Sequence, residues 1–293
     1  MIEWPEKLVD SIARRKSVLF LGAGISANSK NENGEHPPTW NSFLRSILDS
    51  RKATIGVHRA EIEKLLDKDN YLMACELIVD IIGQNAFGDD AANAFRRPRF
   101  SPAEIHKVIY GLDSKIVVSP NVDKIYDECA LTESHSSAVI KSYFDSDLAK
   151  YLRTEDYLVI KAHGSVDETS KMIFTHKDYS SARYKYSAFY RLLDALILTH
   201  TFIFLGCGIN DPDIALTLEN ANFLYDECPP HYLVAPNDSL ADRLKKVLLR
   251  NRNIEVITYD NTDGKHEELL KGLKELSELV DNKRDTISKN CTW

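Results

Sequence analysis

The stretch SVLFLGAGISA, which spans Ser17–Ala27, is the most informative part of the chain because it joins an apolar run to a glycine-rich turn. Ser17–Leu21 is short and rich in β-branched and aromatic residues, which predicts a buried strand that ends at a glycine. Glycines let backbone N–H groups approach a phosphate closely, and the start of a following helix favours the negative charge. The turn is a variant of the dinucleotide-binding motif, although close packing of a helix against a strand explains the same residues without a ligand.

Further strands and helices alternate along the rest of the chain. Alternation of this kind predicts crossover connections, and hence a Rossmann-like α/β fold with a mostly parallel sheet and helices on both faces. An ordinary dehydrogenase would place a second strand ending in an acidic residue about 20 positions after the glycine turn, and a helical pattern stands there instead. The predicted strands after the first are Ile116–Ser119, Leu158–Ile160, Phe202–Leu205, Tyr232–Ala235 and Ile254–Thr258.

The helical pattern after the first strand predicts an all-helical subdomain inserted at about 39–112. Its predicted helices are Trp40–Leu48, Arg59–Leu66, Tyr71–Ile82, Asp89–Phe95 and Ala103–Tyr110. With no internal repeat or flexible linker, we expect one domain over 1–293 with a C-terminal helix at about 265–282.

Composition excludes several classes of protein. No apolar run in the 293 residues approaches the roughly 18–20 residues of a membrane-spanning helix, and the first residues do not read as a secretory signal. We therefore expect a cytoplasmic protein. The five cysteines have no short paired spacing, which predicts neither a zinc site nor a disulfide framework. A net charge of −7 argues against a protein that binds nucleic acid over its whole surface.

Polar residues follow the strand that ends near Ser119, in the sequence Pro120-Asn121-Val122-Asp123. Ligands of parallel α/β sheets bind outside the carboxyl ends of the strands. An amide can hydrogen-bond a hydroxyl or a water, and a carboxylate can accept the N–H groups of a carboxamide. Either Asn121 or Asp123 could instead simply cap the helix predicted from Val122 to Ala130.

A histidine follows the next predicted strand. His163 comes directly after Leu158–Ile160 and Lys161-Ala162, and Gly164 beside it leaves room for a ligand. Histidine titrates near neutrality and can accept a proton from a sugar hydroxyl or a water. None of the other eight histidines has this placement.

A second glycine-rich turn follows Phe202–Leu205. Gly206 and Gly208 suit close approach of the backbone to a ligand, and Cys207 reads as a small packed side chain. Asp211 and Asp213 flank a proline and are best explained as helix caps; they are also the only candidates for a paired-carboxylate metal site.

Taken in chain order, these four elements resemble the sirtuin family, and more specifically its zinc-free prokaryotic branch, over about Ser17–Tyr259. The resemblance implies that Asn121 holds the nicotinamide ribose of NAD⁺ or a water, that Asp123 holds the carboxamide, and that His163 is the catalytic base. Asn121 and His163 are thus the implied catalytic residues. The other implied NAD⁺-binding residues are Gly22, Ala23, Gly24 and Ser26 around the pyrophosphate and ribose, and Gly206, Cys207, Gly208, Asn237 and Tyr259 on the adenosine side.

Two departures from the family pattern limit what is carried over. The four zinc-binding cysteines of the family's deacylases are absent, so we expect no zinc and no other metal. The arginine-containing loop of the deacylases is also absent, since Asn33–Trp40 stands in its place, and this puts acyl-lysine recognition in doubt.

The resemblance implies an NAD⁺ glycohydrolase, releasing nicotinamide and ADP-ribose, that acts as an effector of prokaryotic anti-phage defence. It further implies a homo-oligomer and a regulating partner such as a HerA-type ATPase, with nucleic acid reached only through that partner and no membrane association. Three alternatives stay open: a non-hydrolytic NAD⁺ or ADP-ribose-binding scaffold of an ATPase complex, a protein deacylase or ADP-ribosyltransferase, and a partner-dependent nuclease.

Overall fold

A seven-stranded, all-parallel sheet forms the centre of the computed structural model, which describes residues 2–208, 212–224 and 228–290. The parallel α/β architecture predicted from the sequence is confirmed. The strands are β1 (Ser17–Leu21), β2 (Ile116–Ser119), β3 (Val139–Ser142), β4 (Leu158–Lys161), β5 (Thr201–Leu205), β6 (His231–Pro236) and β7 (Ile254–Tyr259).

Helices connect the strands and cover the sheet, and two short 3₁₀ turns occur at Gly56–His58 and Thr169–Lys171. In chain order the helices are α1 (Glu6–Ala13), α2 (Ala23–Ser26), α3 (Trp40–Ser50), α4 (Lys52–Ile55), α5 (Arg59–Leu66), α6 (Tyr71–Ile82), α7 (Gln84–Phe95), α8 (Glu104–Gly111), α9 (Ile125–Glu133), α10 (Leu148–Tyr151), α11 (His176–Lys185), α12 (Ser187–Thr199), α13 (Pro212–Leu224), α14 (Asp242–Arg252) and α15 (Glu267–Asn290).

The strand order, β3-β4-β2-β1-β5-β6-β7, places β1 at the centre of the sheet. Phe20 of β1 pairs with Val118 of β2 on one side and with Phe204 of β5 on the other. Strands β2, β3 and β4 lie on one side of β1, and β5, β6 and β7 lie on the other side. The direction in which strands are added to the sheet therefore reverses between β1 and β5. In open parallel sheets this reversal opens a crevice at the carboxyl ends of the strands, where ligands bind.

Apolar side chains point alternately to the two covered faces of the sheet. Leu19 and Leu21 of β1 belong to a buried cluster that includes residues of α1, α8 and α15. Val18 and Phe20 point the other way, into a cluster with residues of α11, α12, α13 and α14. Burial on both faces explains why the central strands read as continuous apolar runs in the sequence.

Helices α3–α7 pack around a third core of aliphatic and aromatic side chains. The hydroxyl of Thr39 caps α3, and Phe43, Phe87 and Phe174 pack together, with ring centroids 5.2 Å apart for Phe87 and Phe174. Phe174 comes from the chain beyond β4, and Val122 from the loop after β2 joins the same core. The helical segment is therefore packed directly against the loops at the carboxyl edge of the sheet. Its status as an inserted subdomain of a single domain stays a prediction.

Two elements differ from the sequence prediction in existence or length. The edge strand β3, Val139–Ser142, was not predicted, because all four of its residues are only partly buried and give no continuous apolar signal. The last helix, predicted at about 265–282, extends to Asn290.

Two helix starts also differ. Helix α9 begins at Ile125 rather than Val122, because the carboxylate of Asp123 accepts the N–H of Ile125 and holds the preceding residues outside the helix. Helix α7 begins five residues before the predicted Asp89: Gly83, with φ +84°, ends α6, and the chain re-enters a helix at Gln84.

Candidate active site

The two glycine-rich turns interlock at the carboxyl ends of β1 and β5. The N–H of Gly22 donates to the carbonyl of Leu205 (3.0 Å), and the N–H of Gly24 donates to the carbonyl of Gly206 (2.7 Å). A Cβ atom added at Gly22 would lie 2.6 Å from the carbonyl oxygen of Gly206 and 2.7 Å from Cα of Cys207. Gly206 itself has φ +62°, a conformation that favours glycine. Close packing of the two turns therefore accounts for these glycines before any ligand is considered.

Ser26 links the first turn to the loop after β2. Its hydroxyl donates to Oδ2 of Asp123 (2.9 Å) and accepts a hydrogen bond from Nδ2 of Asn121 (3.0 Å). Ser26 and Asp123 are buried, whereas Asn121 is partly exposed. Ser26 is thus joined to two residues that lie 95 and 97 positions further along the chain, and we call the three residues the Ser26–Asn121–Asp123 group.

Both carboxylate oxygens of Asp123 already have partners within the protein. Oδ2 accepts from Ser26, and Oδ1 accepts the N–H of Ile125 at 3.0 Å. The capping alternative considered from the sequence is therefore present in the structure. Each carboxylate oxygen has a second lone pair, so a contact with a carboxamide is compatible with this arrangement.

His163 lies at the same edge of the sheet, one strand away from Asn121. The N–H of Ala162 donates to the carbonyl of Ser119 (2.9 Å), which extends the pairing of β4 with β2, and neighbouring strands are about 4.8 Å apart. The His163 side chain is buried, with Nε2 3.3 Å from the hydroxyl of Tyr179 on α11 and the two rings edge to face. His163 thus lies next to the loop that carries Asn121.

Lys161 and Asp127 form a buried ion pair beneath this edge, which the sequence analysis did not single out. Nζ of Lys161 lies 3.1 Å from Oδ1 of Asp127 and also donates to the backbone carbonyl of Asp123 (2.5 Å). Burial raises the pKa of Asp127, and the ammonium of Lys161 opposes that shift. The one feature of the sequence that could have indicated this ion pair is the single lysine at the end of the otherwise apolar strand Leu158–Lys161.

A cavity of about 1140 Å³ opens beside the glycine turns, at the carboxyl ends of β5, β6 and β7. Its apolar floor comes from β6 and α14, and the buried Tyr259 at the end of β7 also lines it. Burial raises the pKa of the Tyr259 hydroxyl to about 12. Among the residues predicted to bind NAD⁺, those that line the cavity are Gly24, Gly206, Cys207, Gly208 and Tyr259.

Other predicted residues lie outside the lining of this cavity. Asn121 and His163 follow β2 and β4 at the same edge of the sheet, and neither lines the cavity. Asn237 also does not line it; its backbone N–H donates to the carbonyl of Tyr259 (2.9 Å), and its role in binding stays a prediction. Asp211 and the side chain of Asp213 lie outside the described residues.

Two features are absent from the part of the chain that the structure describes. No group of three or more His, Cys, Asp or Glu side chains in residues 2–208, 212–224 and 228–290 could hold a metal ion. Within the same ranges no helix combines the length and hydrophobicity needed to cross a bilayer.

The parallel sheet, the glycine turn after β1 and the polar residues after β2 and β4 are the features on which the resemblance to sirtuins rests. Residues 116–257, just under half of the chain, match the model of the family described as the SIR2-like domain. The matched part runs from β2 to β7 and includes Asn121, Asp123 and His163.

Curated relatives extend the similarity to most of the chain. The "NAD(+) hydrolase ThsA" of Enterococcus faecium is 24% identical over 234 residues, which cover 78% of this chain and 45% of the relative. "Defense-associated sirtuin 2" of Bacillus subtilis is 22% identical over 264 residues, 88% of this chain and 24% of the relative. The "NAD(+) hydrolase ThsA" of Acinetobacter baumannii (strain 532279) is 21% identical over 240 residues, 81% of this chain and 46% of the relative. The matched region is thus less than half the length of each of these relatives.

Proposed function

We propose that the chain is an NAD⁺ glycohydrolase whose active site is the carboxyl edge of the sheet between β1, β2 and β4. The observation that carries the proposal is the Ser26–Asn121–Asp123 group, which joins the dinucleotide-type turn to the strand end beside His163. The names of several relatives, NAD(+) hydrolase, support the same reaction.

The dinucleotide would lie along the edge from the β7 side to the β4 side. The cavity beside β5, β6 and β7 would take the adenosine half, because its apolar floor suits a base and its volume is large enough for a nucleoside. The glycines of the turn after β1 would let the backbone approach the pyrophosphate closely, although the N–H groups of Gly22 and Gly24 already donate to the carbonyls of Leu205 and Gly206. This places the nicotinamide ribose towards Asn121 and His163.

Cleavage of the nicotinamide–ribose bond needs little general-acid help, because nicotinamide leaves NAD⁺ as a neutral molecule from a cationic ring. The requirement is support for an oxocarbenium-like ribose. The amide of Asn121 would hold a ribose hydroxyl or the attacking water, and His163 would accept the proton that this hydroxyl or water releases. Asp123 would fix the carboxamide. Water attack on C1 of the ribose then yields ADP-ribose.

The direct test is to incubate the purified protein with NAD⁺ and to follow nicotinamide and ADP-ribose together. We expect the two products in equal amounts, since hydrolysis gives one of each. Asn121→Ala and His163→Ala should each lower kcat by about 10²–10⁴-fold, the usual contribution of a positioned acid–base group. Matched controls are Asn282→Ala and His58→Ala, which alter exposed residues far from the edge and should leave kcat unchanged.

The same assay distinguishes the alternatives. A scaffold would bind NAD⁺ without releasing nicotinamide, and a transferase would release nicotinamide while ADP-ribose became attached to protein. If Asn121→Ala or His163→Ala kept the full activity of the wild type, the substituted residue would have no part in the mechanism.

The biological setting is proposed on the same basis. One relative carries the name of a defence-associated sirtuin, and we propose that this chain also serves anti-phage defence. Unregulated NAD⁺ loss would deplete the host cell, so we expect control by a protein partner such as a HerA-type ATPase, by self-assembly, or by both. Control by a partner is tested by adding the ATPase to the NAD⁺ assay. Control by self-assembly is tested by determining the oligomeric state of the protein and its activity in the same assay.

A further inference from the structure

Lys161 and Asp127 form an ion pair in which both side chains are almost fully buried. The side chains are 2% and 5% exposed, with Nζ and Oδ1 3.1 Å apart. An ammonium in the protein interior is costly unless charged or polar partners surround it. Asp127 supplies the opposite charge, so the remaining donors of Lys161 are available for a further contact.

That further contact is made to the loop that carries the proposed site residues. Nζ of Lys161 donates to the backbone carbonyl of Asp123 at 2.5 Å. Lys161 ends β4, Asp127 lies in the first turn of α9, and Asp123 lies between β2 and α9. One side chain therefore connects the end of β4 to the first turn of α9 and to the loop just before that helix.

The hydrogen bond from Lys161 contacts the Ser26–Asn121–Asp123 group directly, through the backbone of Asp123. Asp123 is hydrogen-bonded to Ser26, and Ser26 accepts from Asn121, so a shift of the Asp123 backbone would move all three residues. His163 follows Lys161 by two positions at the end of the same strand. Lys161 is thus placed to set the distance between the Asn121 loop and His163.

An ion pair that only stabilised the fold would not need the additional hydrogen bond from Lys161 to the loop. Replacing a buried ion pair by apolar residues of similar volume is often neutral or stabilising, so burial of two charges is weak support for a purely structural role. The hydrogen bond from Lys161 to the Asp123 carbonyl is the feature that an apolar pair could not reproduce.

We propose that Lys161, held by Asp127, is a positioning residue that fixes the Asn121–Asp123 loop relative to His163; the catalytic part of the inference rests on the proposed NAD⁺ hydrolysis. Displacement of a catalytic group by about 1 Å can lower the rate of a reaction 10²-fold while substrate binding changes less. Loss of the Lys161 contacts should therefore lower kcat and change KM less.

The test replaces both charges together, Lys161→Met with Asp127→Leu, so that no unpaired charge is left in the interior. The matched control is Lys141→Met with Asp147→Leu, which removes a more exposed strand–helix pair whose atoms are 2.7 Å apart. Three quantities are measured in each protein: the thermal midpoint, kcat and KM for NAD⁺, and hydrogen exchange of the amides from Asn121 to Ile125.

The expected result is a folded double variant in which kcat falls at least tenfold, KM changes less than threefold, and the loop amides exchange at least tenfold faster. The control pair should change none of these beyond threefold. Wild-type kcat together with wild-type loop exchange in the folded Lys161→Met, Asp127→Leu protein would overturn the proposal.

Asp127→Asn provides a second test if the double variant does not fold. It removes the charge that holds Lys161 in place, so the loop amides should exchange at least threefold faster. Wild-type loop exchange in the folded Asp127→Asn protein would overturn the positioning role. The exchange measurement does not depend on activity. If the wild-type protein does not cleave NAD⁺, the proposed function fails. Hydrogen exchange of the loop amides then still tests whether Lys161 holds the loop in place.

Discussion

Substitution of Gly22 by alanine should separate the two interlocked glycine turns. The new Cβ would lie 2.6 Å from the Gly206 carbonyl oxygen and 2.7 Å from Cα of Cys207, where about 3.5–4.0 Å is an ordinary carbon contact. The turns must then move apart by about 1 Å. Overpacking costs about 1–3 kcal/mol, and weakening one of the two backbone hydrogen bonds between the turns adds about 1 kcal/mol. We therefore expect Gly22→Ala to destabilise the protein by about 2–4 kcal/mol.

The assay is urea or thermal unfolding, in parallel with NAD⁺ kinetics. A loss of 2–4 kcal/mol corresponds to a thermal midpoint lower by roughly 3–7 °C for a chain of this length, and KM for NAD⁺ should rise because the displaced turn adjoins the proposed pyrophosphate position. The matched control is Gly111→Ala at the end of α8, where nothing lies within 4 Å of the added Cβ. It should be neutral or stabilising by up to about 1 kcal/mol. If Gly22→Ala were as stable as Gly111→Ala, the interlocked packing of the turns would be wrong.

Two further predictions concern single hydrogen-bonding side chains. Ser26→Ala removes the donor to Asp123 and the acceptor for Asn121, so we expect a loss of about 1–3 kcal/mol in unfolding free energy and a fall in kcat of tenfold or more. His231 is buried, accepts the N–H of Phe202, and has its pKa lowered from 6.5 to about 4 by burial. Because the unfolded chain binds this proton more readily, stability is fully present above about pH 6.5 and falls by about 3 kcal/mol as pH drops towards 4. His231→Asn keeps an acceptor for Phe202 and should remove most of that fall, as measured by urea unfolding at pH 7 and pH 5.

Each of these predictions has a control on the protein surface. Ser46→Ala removes a hydroxyl that bonds only within helix α3, so stability and kcat should stay near wild type. His58→Asn removes an exposed histidine, and the pH dependence of unfolding should stay that of wild type. Equal effects in Ser26→Ala and Ser46→Ala, or equal pH profiles in His231→Asn and the wild type, would contradict the structural reasons given.

The sheet could be predicted from the sequence because its central strands are buried on both faces. Phe202-Ile203-Phe204-Leu205 is apolar throughout, and the structure places it in β5 beside the central strand. Edge strand β3 lacks that pattern, and its place depends on pairing with β4, a contact between distant parts of the chain. Helices α5 and α6 match the predicted bounds, since their apolar spacing and the Asn70 cap are local signals.

The candidate site could be predicted only in part. Glycines and polar residues at strand ends can be found by position, because the carboxyl ends of parallel strands meet at one edge. The partners of those residues cannot be found that way. Tyr179 reaches His163 from helix α11, and Lys161 reaches Asp127 beneath the sheet edge, and both contacts depend on how helices pack against the sheet. The close fit of Gly22 against Cys207 likewise depends on a contact across nearly the whole chain.

The central claim is that one dinucleotide spans the edge from the β5–β7 cavity to His163. The most direct measurement is a crystal structure of the His163→Ala protein soaked with NAD⁺. We predict adenosine in the cavity beside Tyr259, the pyrophosphate at the turn after Gly22, and the nicotinamide ribose within hydrogen-bond distance of Asn121. NAD⁺ bound elsewhere, or with its nicotinamide ribose away from Asn121 and residue 163, would contradict the account.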